Sequence, residues 1–120
     1  MKLKMGLVAF AVIGSLLTGC VSYGEIQQRK PLFTAHTDKS PQTYLECVQP
    51  KWMEENTFAH IVPNGDDRTL VMPNPGTGAQ GQVLSTLSAT KSATGTEVAM
   101  RTLPSISSFS KRRGEAEACL

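Results

Sequence analysis

The side chains best suited to chemistry in this chain are three cysteines, two histidines and one acidic pair: Cys20, Cys47, Cys119, His36, His60 and Asp66-Asp67. A cysteine can act as a nucleophile, ligate a metal or form a disulfide, and the thiolate is the reactive form in each case. A zinc-type centre calls for local Cys-x-x-Cys or Cys/His spacing, and none occurs here. His36 and His60 stand apart from each other and from the cysteines, which favours ordinary exposed side chains over a metal site. Asp66-Asp67 follow Asn64-Gly65, so they read first as turn formers and only second as acid chemistry or a calcium site. Pro75-Gly76-Thr77-Gly78-Ala79-Gln80-Gly81 has the glycine density of a phosphate loop but lacks its spacing and its Lys-Ser/Thr ending. No Ser/His/Asp set stands out. No catalytic residue, metal ligand or cofactor is therefore assigned, and the chain is read as not an enzyme. The residual case is a small-ligand binder or enzyme with a pocket lined by His60, Asp66 or Asp67.

Cys20 stands in a context of its own. Lys2 and Lys4 form a basic start, Met5 to Leu17 supply an apolar run, and Leu17-Thr18-Gly19-Cys20 close it. The run is short for a membrane span of about 20 residues and matches a signal-peptide core. Leu-Thr-Gly-Cys resembles the lipobox of bacterial lipoproteins. The resemblance implies cleavage between Gly19 and Cys20, diacylglycerol on the Cys20 thiol and acylation of the new amino end. Residues 1–19 would be the cleaved signal peptide. Three acyl chains, at about 0.8 kcal/mol per buried methylene, exceed what stable anchoring needs. The family's inner-membrane signal is an Asp after the modified cysteine. Here Val21-Ser22 follow, which implies the outer membrane, facing the periplasm, over the inner membrane. The rival readings are an ordinary secretory signal and a short membrane anchor.

Cleavage would change the charge balance. The full chain has 12 basic and 10 acidic residues. Loss of Lys2 and Lys4 leaves 10 of each, so no electrostatic case for nucleic acid remains. Lys111-Arg112-Arg113 is a local cluster, read as a solvated face before a binding patch. With Cys20 taken by lipid, Cys47 and Cys119 form an even pair. In an oxidising periplasm such a pair is read first as a disulfide, which would help stabilise a small domain. The rival is a catalytic or metal-binding thiol.

These residues need elements to hold them. From residue 20 to Lys39 the chain is polar and aperiodic and reads as a lipidated, flexible tether with a short strand near Leu32-Phe33-Thr34. Residues 40–120 read as a small α+β periplasmic domain. Ser40-Pro41 is a helix start, with Ser as N-cap and Pro at the first helical position. Tyr44, Leu45, Val48 and Trp52 then recur on one face, with Cys47 beside it and Pro50 ending or kinking the helix. Phe58 to Pro63 and Arg68 to Met72 read as a hairpin around Asn64-Gly65-Asp66-Asp67. Gln82 to Thr90 and Thr96 to Leu103 read as further strands joined at Ser92-Ala93-Thr94-Gly95. In the last strand Glu97 and Arg101 share one face and Val98 and Met100 the other. After Pro104, Ile106, Phe109, Arg113, Ala116 and Leu120 follow helical spacing; Gly114 weakens that helix, and the charge order favours a start near Arg113. The expected fold is a two-layer α+β domain: helix, three to four antiparallel strands, C-terminal helix. Both helices would lie on one sheet face, so that Cys47 can meet Cys119.

Lys39-Ser40-Pro41, Tyr44-Leu45-Glu46-Cys47-Val48, Trp52 and the ending Ala116-Glu117-Ala118-Cys119-Leu120 resemble a group of small lipoproteins of Gram-negative bacteria. That group shares a lipobox, a helix bearing Cys and Trp, a β-rich middle and a nearly C-terminal Cys. The resemblance implies a lipid-anchored envelope protein; it points to no particular enzymatic activity and leaves the biochemistry open. Two functional readings follow: a non-enzymatic envelope protein with a binding or structural role, and a subunit of a multi-protein envelope or secretion assembly. The second needs an exposed apolar patch or an open sheet edge, with Val83 to Leu87 the first place to look.

Overall fold

The computed structural model describes residues 22–74, 82–103 and 109–120. Ser22 caps a short helix, α1 (Tyr23–Gln27). Strand β1 (Phe33–Thr37) follows, then helix α2 (Pro41–Met53). Four strands come next: β2 (His60–Asn64), β3 (Asp67–Pro73), β4 (Val83–Ser92) and β5 (Gly95–Thr102). Helix α3 (Phe109–Ala118) ends the described chain.

Helix α2 starts as its sequence dictates. The Ser40 hydroxyl accepts from the Thr43 amide at 3.2 Å, and Pro41 occupies the first turn, where its missing N–H is no loss. Pro50 neither ends the helix nor prevents the turn after it. It lies on the exposed side, while Trp52, one turn beyond Val48, is fully buried. An interior proline costs about 3 kcal/mol, and a buried tryptophan contributes about 3–5 kcal/mol, so burial of Trp52 carries the helix to Met53.

The strands form one antiparallel sheet in the order β1-β5-β4-β3-β2. The β2–β3 hairpin turns at Gly65-Asp66, with Asn64 opposite Asp67. Gly65 has φ +62°, the left-handed value a two-residue hairpin turn places on glycine. Gly95, opposite Ser92, has φ +145°, and a Cβ there would overlap the Thr37 carbonyl oxygen. Strand β2 begins two residues later than expected. The buried Asn56 side chain accepts from the Phe58 amide at 3.0 Å and donates to the Pro73 carbonyl at 2.6 Å, which holds Phe58 in a turn.

The α+β fold with both expected helices over one face is as read from the sequence, with a fifth strand added. Leu70, Met72, Leu87, Ala89, Val98 and Met100 meet Tyr44, Leu45, Val48, Trp52, Ala116 and Cys119 in the main core. The segment expected as a flexible tether departs from that reading from residue 22 onward. It forms α1, and the short strand expected near Leu32-Phe33-Thr34 is the edge strand β1, which pairs with β5 from Phe33↔Met100 to Thr37↔Thr96. Phe33 and Thr37 are buried on the helix side, while Ile26 of α1 joins Val71 and Val83 in a second small core. Val71 alternates with Leu70 and Met72 along β3, so α1 covers the opposite face of the sheet.

Candidate functional site

Cys47 and Cys119 form a disulfide, with S–S 2.07 Å and Cα–Cα 5.9 Å across a sequence separation of 72. The α2 face that buries Tyr44, Leu45 and Val48 brings Cys47 to the end of α3. The region is tied by further bonds. The Tyr44 hydroxyl donates to the Ala116 carbonyl at 2.8 Å, and the Lys39 ammonium donates to the Cys119 carbonyl at 2.5 Å. Burial pushes the Tyr44 phenol well above its ordinary value. Joined in this way, neither sulfur offers a thiolate for catalysis or metal binding.

The Lys111-Arg112-Arg113 cluster is not the uniformly solvated face expected of it. Arg112 is 0% exposed, with Nη2 3.0 Å from Glu55 Oε1 and Nε 3.0 Å from Glu115 Oε1. Both contacts lie at ion-pair distance without hydrogen-bond geometry. Lys111 donates to Glu55 at 2.8 Å, and this bond holds the Glu55 carboxyl below its usual range. Arg113 donates to Glu117 at 3.0 Å, and its guanidinium sits 5.1 Å from the centre of the Phe33 ring. Burial pushes the Glu115 carboxyl upward, opposed by Arg112. The spacing Phe109, Arg112, Ala116, Cys119 is the inward stripe of α3. The spacing Phe109, Arg113, Ala116 and Leu120 is equally helical, so periodicity does not tell which of the two adjacent arginines turns inward.

His60, Asp66 and Asp67 do not come together. His60 opens β2 and its Nδ1 lies 2.9 Å from the Phe58 carbonyl, whereas the two aspartates sit at the far end of that hairpin. Asp67 accepts from the Lys91 amide at 2.9 Å, and Asp66 lies 3.9 Å from the Lys91 ammonium. His36 gains partners that the sequence reading missed. Its Nδ1 is 2.8 Å from Glu97 Oε1 across the β1–β5 pair, and its Nε2 is 3.5 Å from Asp38. The Glu97 hydrogen bond holds its pKa above the ordinary value. Recognising this pair from sequence required knowing that β1 lies beside β5. Among the described residues, no three His, Cys, Asp or Glu side chains are grouped to hold a metal.

Val83 to Leu87 is not a sheet edge. It belongs to β4, the central strand, and Val83, Ser85, Thr86 and Leu87 are buried. Its lack of any charged residue reflects burial on both faces, one under α2 and the other under α1. The sheet ends instead at β1 and β2. On β2 the pair flanking the two-residue turn carries ladder bonds, so the next residue, Pro63, turns its backbone outward. Its missing N–H blunts that edge.

Gly19 and Cys20, the expected cleavage and lipidation positions, lie outside the described residues, as do the glycine-rich loop from Pro75 to Gly81 and Ile106. Among the described residues no helix is long and apolar enough to cross a membrane. Comparison with known proteins finds no matching family model, curated protein or solved structure.

Proposed function

We propose that the chain is a membrane-anchored periplasmic lipoprotein, held by lipid on Cys20 in the outer membrane, with a non-enzymatic binding or structural role in the envelope. The observation that carries this reading is Leu17-Thr18-Gly19-Cys20 behind a basic and then apolar start. The Cys47–Cys119 bond supports it, because disulfides persist in oxidising compartments and are rare in the cytosol. No nucleic acid or small-molecule substrate enters this reading, and the expected partners are the membrane and an envelope protein. A second reading, a subunit of a larger envelope or secretion assembly, draws support from Phe58, which is 61% exposed beside edge strand β2.

Intact mass of the detergent-extracted protein tests the anchor. The expected species begins at Cys20 and carries three acyl chains, and Cys20→Ser yields a soluble form or an uncleaved precursor. An unchanged mass and unchanged membrane fractionation of Cys20→Ser would remove the anchor. Detergent co-purification then separates the two roles: a stoichiometric envelope partner favours the assembly subunit.

A further inference from the structure

If Cys20 carries lipid, its distance from the folded domain matters. Ser22 is already the N-cap of α1, so two Cα–Cα steps, at most about 8 Å, separate the modified residue from the start of that helix. From there the backbone is fastened to the sheet. Ile26 is fully buried against Val71 and Val83. The Gln27 amide donates to Ser88 at 3.1 Å and accepts from Thr86 at 2.8 Å. Arg101 donates to the Arg29 carbonyl at 2.8 Å. A long tether would leave the domain free to rotate above a bilayer, but this connection is too short for that.

We infer that the domain docks on the membrane through its α1 face, against the phospholipid headgroups in which Cys20 is anchored. This rests on the anchor reading and adds an orientation to it. The side chains exposed along α1 and its exit suit that occupant. Tyr23 is an aromatic with a polar tip, Arg29 and Lys30 can meet phosphates, and Leu32 is an apolar side chain 53% exposed. Glu25 is the single exposed acid of that segment. Helix α2 covers the other sheet face, so it and the disulfide point away from the bilayer. A protein partner is then met by the helix layer or by a sheet edge.

The test uses the full lipidated chain reconstituted into vesicles of phosphatidylethanolamine and phosphatidylglycerol carrying a headgroup nitroxide. Tyr23→Trp and, as a second reporter of the same face, Lys30→Trp are compared with Glu46→Trp on the exposed side of α2. The buried Trp52 is a background common to all three. The α1-face reporters are expected to be quenched at least about twofold more than Glu46→Trp. A Gly-Ser insertion of about ten residues between Val21 and Ser22 is expected to narrow that gap, because it supplies the slack the native connection lacks. Equal quenching of the two faces in protein whose mass includes the acyl chains would overturn the orientation and leave the anchor standing. A mass without acyl chains would overturn the anchor, and the orientation with it.

Discussion

The two faces of the sheet are built on different scales. The helix side packs Phe33, Leu70, Met72, Leu87, Val98 and Met100 beneath Tyr44, Leu45, Val48 and Trp52, and a covalent bond ties the two helices together. The α1 side presents Thr69, Thr86, Ser88 and Ala99, covered by a five-residue helix that contributes one fully buried apolar side chain, Ile26. Such a helix is far too short to persist alone. Its structure depends on Ile26 and on the two hydrogen bonds of Gln27. Stability therefore resides on the helix side, while the α1 side is a lightly held cover from which the chain leads back toward Cys20.

The largest expected effect tests the strong side. Replacing Cys47 and Cys119 by alanine frees a long loop, since the bridged residues are 72 apart, and chain entropy predicts a loss of about 4 kcal/mol. Urea unfolding of the double variant, beside that of reduced wild type, measures it. A loss below about 1 kcal/mol would mean that packing alone holds α3 to α2. Next comes Arg112→Met, which keeps apolar volume but leaves the half-buried Glu115 without its cation. The expected cost is about 2–3 kcal/mol, with part recovered on adding Glu115→Gln. Strictly additive costs for the two substitutions would show that the pair is not coupled.

Ile26→Ala addresses the weak side. The side chain is fully buried in a small cluster, so the loss is at the low end of the usual range, about 2 kcal/mol. Hydrogen exchange distinguishes local from global loss. The amides of Ile26, Gln28 and Arg29, bonded within α1, are expected to lose protection while those of α2 keep it. Parallel loss in both helices would make the two faces one cooperative unit and end the contrast between them.

The strong side was also the legible one. The Ser40-Pro41 start, the Tyr44–Trp52 stripe, the Asn64-Gly65 turn and the pairing of Cys47 with Cys119 each have a local signature or a simple count behind them. Strand β1 was legible only as a short strand near Leu32-Phe33-Thr34, and its place in the sheet has no such signature. Phe33-Thr34-Ala35-His36-Thr37 is a strand because β5 lies beside it, a contact spanning more than half the chain. Helix α1 escaped for the same reason, since one buried isoleucine makes no period. Arg112 was hidden differently. Its charge argued for solvent, and only Glu55 and Glu115, drawn from the turn after α2 and from α3 itself, make its burial tolerable. Val83 to Leu87 was misplaced because an uncharged, largely aliphatic stretch marks a strand without saying whether it lies at the centre or the edge.

The smallest effect belongs to the outer strand, where β1 meets β5. Hydrogen bonding to Glu97, with Asp38 adding attraction, raises the pKa of His36 above its ordinary 6.5. A raised folded-state pKa means that protonated His36 stabilises the fold. That contribution is complete below about 6.5, the unfolded value, and disappears as pH rises through the higher folded value. Wild type should therefore lose a little thermal stability between about pH 6 and pH 8 that His36→Gln does not lose, and Glu97→Gln should flatten the slope in the same way. The side chains are solvent-exposed, so the difference should shrink further at about 1 M salt, where screening reaches within about 3 Å. The helix side supplies the contrast: its buried phenol, Tyr44, is held far above neutral pH and its cysteines are bonded, so neither adds a slope there. Identical Tm profiles for wild type and His36→Gln would show that strand β1 is held by its backbone ladder and by its inward side chains, Phe33 and Thr37, with the charges at its outer surface contributing nothing.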